Sequence, residues 1–258
     1  MHLERPIIVG NWKMNGLQIS GCDLAKQIAA SLAARHADHG TVAVCPPATL
    51  LAQVGAKLAG SEVLLGGQDC HSEASGAFTG SVSPVMLKDQ GCDLVIVGHS
   101  ERRHGLGETD ADVLAKATGA ITAGLMPIVC IGETEAEYRA GETLAVLSRQ
   151  IHGSLPVSRE QDGLIVAYEP VWAIGTGLTP TIEEIAATHA HIKEQIAGHL
   201  GVPDADVPVL YGGSVKPANA AEILALEGVD GVLVGGASLK AEDFLAIHAA
   251  GASPSSSA

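Results

Sequence analysis

The chain has 258 residues, 47% of them hydrophobic and 17% charged, which suits one large domain with a sizeable buried core. Fifteen Lys and Arg stand against 29 Asp and Glu, a formal charge of −14, and a surface that acidic repels nucleic-acid phosphates and anionic headgroups alike. No apolar run approaches the ~20 residues that span a bilayer, so neither nucleic acid nor membrane is expected as a partner.

Residues 1–10 carry no long apolar core and no small-residue cleavage site, which predicts a cytoplasmic protein without a secretory signal. Cys22, Cys45, Cys70, Cys92 and Cys130 form no C-x-x-C pair. They fit reduced packing thiols better than a disulfide framework or a zinc site.

In chain order, a β-branched run at 7–9 precedes an amphipathic stretch at 20–34. Further apolar runs follow at 42–44, 63–65 and 94–97, the first two with weaker helical connections after them. A helical stretch at 110–123, a strand at 128–131, a helix at 135–151, a strand at 164–167 and a helix at 181–200 come next. Strands at 207–210 and 231–234, with helices at 217–226 and 241–249, complete the pattern. The eight runs are nearly continuous in apolar character, as parallel strands covered on both faces are. Eight βα units without an internal linker predict an α/β fold, a single (β/α)₈ barrel over 1–250, with an open doubly wound sheet as the alternative. The Ser-rich tail 251–258 reads as disordered, with no function assigned.

In such a barrel the strand C-termini share one face, so polar residues just after strands converge there. Asn11 and Lys13 follow the first run, His99 and Glu101 the fourth, Glu133 the fifth and Glu169 the sixth. Taken singly, Lys13 also reads as a solvated lysine, His99 as a core histidine and Glu169 as a loop cap. Together they place one base, one imidazole and one ammonium on one rim. Gly212-Gly213-Ser214 and Gly235-Gly236 follow the seventh and eighth runs. Glycine lets backbone N–H groups approach a ligand unobstructed, and phosphate is the expected guest at this place in a barrel, with tight turns as the plainer alternative. No His/Asp/Glu cluster has metal-ligand spacing, so neither metal nor cofactor is expected.

Five motifs carry a resemblance to the triosephosphate isomerase family over residues 6–249. They are Asn11-Trp12-Lys13-Met14-Asn15, Gly76-Ala77-Phe78-Thr79-Gly80, the run from Val97 to Arg103, the run from Tyr168 to Gly177, and Tyr211-Gly212-Gly213-Ser214-Val215. The resemblance implies a TIM barrel acting on a phosphorylated triose in glycolysis and gluconeogenesis, without a cofactor. Glu169 would be the base that moves a proton between adjacent carbons through an enediolate. His99 would be the neutral imidazole electrophile, the role for which this family is the standard example. By the same resemblance Lys13 supplies fixed charge, Asn11 hydrogen-bonds substrate, and Glu101 orients Lys13. Gly175 on a lid at 170–177, Ser214, Gly235 and Gly236 would bind phosphate. Cys130 would stand behind the catalytic groups, although it reads equally as a buried small hydrophobe. The loop 76–80 would dock into a second subunit, with Thr79 supporting that subunit's site, and so make a homodimer.

Three departures from the family pattern stand out. Asp69 stands where asparagine is usual. Ser81 replaces the glutamate after Phe-Thr-Gly, so an interface ion pair to the partner's Arg102 does not carry over from the resemblance. Leu178-Thr179-Pro180 alters the second lid hinge, because Pro180 disfavours helical geometry at Thr179. Competing readings keep the catalytic set but act on a tetrulose phosphate, use Lys13 as a Schiff-base aldolase lysine, or make the barrel a non-enzymatic binding protein.

Overall fold

The computed structural model describes residues 3–34, 40–157, 163–173, 179–202 and 206–251. Its eight strands, all parallel, close into a barrel in sequence order. They are β1 (Ile7–Asn11), β2 (Thr41–Cys45), β3 (Leu64–Gly67), β4 (Leu94–Val97), β5 (Met126–Ile131), β6 (Ile165–Tyr168), β7 (Val209–Tyr211) and β8 (Gly231–Val234). Closure is made by β1, in which Ile7 pairs with Thr41 of β2 on one side and Gly231 of β8 on the other.

The helices line the outside: α1 (Gln18–Ala33), α2 (Leu51–Leu58), α3 (Pro84–Asp89), α4 (Ser100–Leu106), α5 (Asp110–Thr122), α6 (Glu135–Arg139), α7 (Thr143–Ser154), α8 (Ile182–Leu200), α9 (Ala220–Leu224) and α10 (Ala241–Ala250). Among the described residues none is long and apolar enough to cross a membrane. The segment 135–151, expected as one helix, is two. Gly141 adopts a left-handed φ of 73° between them, a conformation that ends helices. The helix expected from 217 begins at Ala220, because a turn in which Asn219 Oδ1 accepts the Lys216 N–H comes first. Caps are local: Thr109 with Asp112, Thr134 with Glu137 and Thr181 with Glu184 form reciprocal capping boxes on α5, α6 and α8.

Alternate strand residues feed two cores. Ile7, Val9, Ala43, Cys45, Ile96, Ile128, Cys130, Ala167 and Leu210 fill the barrel interior. Ile8, Val42, Val44, Val95, Val97, Val129, Val166 and Val232 pack against the helices. Both faces of each strand are dry, which is why the sequence shows continuous apolar runs and no alternation. With the interior plugged, the polar residues at the strand C-termini are left as the floor of one cleft.

Candidate active site

Glu169 directly follows β6 and is 2% exposed. Its backbone N–H donates to the Ile131 carbonyl at 2.8 Å, stitching it to the end of β5. Two glycines make room for it. A Cβ at Gly132 would lie 1.8 Å from the Glu169 carbonyl oxygen, and one at Gly212 would lie 2.9 Å from Glu169 Cγ. Gly212 therefore clears the base as well as presenting a bare turn to a ligand.

The Glu169 carboxylate spans two partners, with Oε1 3.0 Å from His99 Nε2 and Oε2 accepting the Ser100 N–H at 2.9 Å. Burial pushes its pKa up, but the His99 ring and the Ser100 N–H outweigh burial and hold it below the ordinary carboxylate value. His99 is the N-cap of α4, entered through Gly98 at a left-handed φ of 67°. Its Nδ1 accepts the Glu101 N–H at 3.2 Å. That bond needs a lone pair on Nδ1, so the ring proton sits on Nε2, directed at Glu169. Burial opposes charge on His99, while the adjacent Glu169 carboxylate raises its pKa on balance.

Lys13 is the one non-glycine among the described residues with positive φ, at 51°, and three groups hold that backbone. Its N–H donates to Asn11 Oδ1 at 3.0 Å, its carbonyl accepts from Gln68 Nε2 at 2.8 Å, and its Nζ meets Glu101 Oε1 at 2.7 Å. Gln68 was not singled out from the sequence, since nothing in its spacing marks it as a clamp on residue 13.

Asn11, Lys13, His99, Glu169, Gly212, Gly213, Ser214, Gly235 and Gly236 line one cleft of about 550 Å³. Lys216 and Lys240 line it too, and sequence reasoning missed both; each lies just past a glycine turn. Gly235 opens a 3₁₀ turn over Gly236–Leu239 that Ser238 closes by donating to the Gly235 carbonyl at 2.7 Å. Cys130 is buried beneath the base, and burial together with Glu169 pushes its thiol well up, so it stays protonated. Thr79 lies apart from this cleft, on an exposed loop. Gly175 and the hinge residues 176–178 lie outside the described residues, as does the tail from 252. The first part of the lid segment is anchored: Trp172 Nε1 donates to Glu133 Oε1 at 2.8 Å and its ring stacks on Tyr138 at 4.1 Å. Among the described residues no group of three or more His, Cys, Asp or Glu could hold a metal ion.

A closed parallel barrel that gathers a buried carboxylate, an imidazole, a lysine and two bare glycine turns at its C-terminal rim belongs to the class of barrel enzymes that move protons on anionic substrates. Comparison with known proteins narrows that class. The sequence model of the triosephosphate isomerase family matches residues 6–251. The triosephosphate isomerase of Afipia carboxidovorans is 56% identical over 244 residues, covering 94% of this chain and 96% of the relative. That of Chelativorans sp. is 53% identical over 246 residues, covering 95% and 96%. The crystal structure of triosephosphate isomerase from Bartonella henselae superposes with a TM-score of 0.87 at 45% identity, covering 95% of this chain and 98% of that one. The chain belongs to the triosephosphate isomerase family and is an aldose–ketose isomerase.

Proposed function

We propose that Glu169, His99 and Lys13 carry the interconversion of dihydroxyacetone phosphate and D-glyceraldehyde 3-phosphate in this chain. The observation that carries this reading is the 3.0 Å contact between Glu169 Oε1 and His99 Nε2 on the floor of the glycine-lined cleft. A substrate entering between them meets a base on one side and an N–H donor on the other. Glu169 takes the proton from the carbon beside the carbonyl, while the His99 Nε2–H polarises the carbonyl oxygen. The hydroxyl proton passes to the former carbonyl oxygen by way of His99 Nε2, the former carbonyl carbon takes the carbon-bound proton back from Glu169, and Glu169 is again a carboxylate.

The state of His99 follows from its neighbours. The Glu169 carboxylate is the main group raising its pKa, with Glu101 a smaller one that Lys13 opposes. Once the base turns to substrate, burial and the Glu101 N–H on Nδ1 remain, and both favour the neutral ring. Lys13 supplies the fixed positive charge for the enediolate and the phosphate. Asn11 hydrogen-bonds substrate, and Ser214, Gly235 and Gly236 offer N–H groups to the phosphate, with Gly175 joining from the lid. Lid closure excludes water, which protects the enediolate phosphate from elimination and strengthens these electrostatic contacts. The direct test is an isomerase assay with dihydroxyacetone phosphate alongside erythrulose phosphates. Turnover is expected on the triose; a preference for the tetrulose would overturn the substrate assignment.

The same reading makes the protein a cytoplasmic homodimer through the loop 76–80. In support, Met14 and Leu106, 95% and 67% exposed in the single chain, line one hollow with Gly80 and Ser81 at the end of that loop, exposed apolar surface of the kind that marks interfaces. Phe78 is stacked on His71 at 3.9 Å, so the loop is shaped before it docks. Phe78→Asp should shift sedimentation from dimer to monomer at micromolar protein and lower activity with it. A dimer of unchanged affinity would remove this loop from the interface.

A further inference from the structure

Lys13 is held from two sides by two neighbouring dipeptides. Gln68 takes its carbonyl and Glu101 its ammonium, and the residue after each, Asp69 and Arg102, meet at 2.8 Å between Asp69 Oδ2 and Arg102 Nη2. The ring of charges continues, since Arg102 Nε reaches Glu108 Oε1 at 2.6 Å and Lys116 Nζ lies 2.6 Å from Glu108 Oε1 and 2.8 Å from Asp69 Oδ1. Two cations and two anions thus tie the end of β3 to α4 and α5, with side chains of Glu108 and Lys116 only 9% and 13% exposed. Screening is weak at that depth. Asp69 needs both oxygens as acceptors, one for each cation, and an asparagine would turn its NH₂ toward one of them.

We propose that Asp69 is a positioning residue for Lys13: by pairing with Arg102 inside the same chain it locks Gln68 and Glu101 at the spacing that holds the left-handed Lys13 backbone and its ammonium over the cleft. The in-chain pair also occupies Arg102 in a chain whose residue 81 is serine. The lock therefore acts within each subunit. This rests on the role assigned to Lys13 above.

The test is Asp69→Ala, with Asp69→Asn as the second variant should alanine not fold, each measured with and without Lys13→Ala. Asp69→Ala is expected to lower kcat/KM about tenfold and to weaken 2-phosphoglycolate, whose carboxylate mimics the enediolate charge, by a similar factor. In the Lys13→Ala background the same substitution is expected to change 2-phosphoglycolate affinity by less than about twofold, because a lock has nothing left to position. The proposal is overturned if Asp69→Ala lowers only the melting temperature. An equal loss without Lys13 overturns it too, as does a loss that vanishes at high enzyme concentration and so reports subunit association. Wild-type turnover by Lys13→Ala alone would instead sink the role of Lys13, a separate result.

Discussion

Shortening Glu169 by one methylene, Glu169→Asp, lowers kcat by about a hundredfold or more while the affinity for a phosphate-bearing inhibitor stays within a few-fold. The base is sandwiched: its main chain is fixed by the Ile131 carbonyl, and Gly132 and Gly212 leave space only for its own backbone and Cγ. An aspartate from the same Cα cannot follow substrate, because little in that packing lets the backbone advance. The glycine turns proposed to hold phosphate follow β7 and β8 and do not depend on the length of residue 169, so binding is spared. Turnover within tenfold of wild type would remove Glu169 as the base. The pH profile gives an independent reading. His99 and the Ser100 N–H hold the Glu169 carboxyl below the usual ~4.3 despite burial. The free enzyme's base is thus ionised throughout neutral pH, and protonation of residue 169 lowers kcat/KM only below that value. An acid limb near pH 6 to 7 assigned to residue 169 would contradict this.

Removing the charge at residue 13, Lys13→Met, lowers kcat by roughly a hundredfold to a thousandfold, the range seen when one preorganised electrostatic contact to a developing oxyanion is lost, and raises KM as well. On the role proposed for it, the one ammonium serves both the phosphate, present in ground and transition states, and the enediolate, present only in the latter, so the two parameters move together. Methionine keeps the length and apolar stem, so packing is a minor part of the effect. Lys13→Arg separates charge from geometry. It keeps the charge but replaces a point donor with a planar fork that the single contact to Glu101 does not fit, and partial recovery is expected. Lys13→Met with wild-type kcat would show that the lysine is only an ion-pair partner for Glu101.

Much of the fold was legible because its signals are local. Eight continuous apolar runs mark strands dry on both faces, and amphipathic stretches between them mark the helices, both patterns set by near neighbours in the chain. The break at Gly141 was missed because glycine is tolerated inside helical patterns, and only its left-handed φ distinguishes an ending from a passing residue. Lys216 and Lys240 went unnoticed because a lysine after a turn looks like any solvated lysine until the rim is assembled.

The amino-acid sequence by itself determined the element order, the barrel class and the residues able to do chemistry, since each depends on composition and spacing along a few residues. The tertiary structure decided what those residues are to one another. The proton on His99 Nε2 is decided by the helix N–H that claims Nδ1. The space for Glu169 is made by glycines 37 and 43 positions away. Lys13 is clasped from residues 68 and 101 through a pair between 69 and 102. Those neighbours meet only when eight strands close in register, and no local pattern encodes a distance across a barrel.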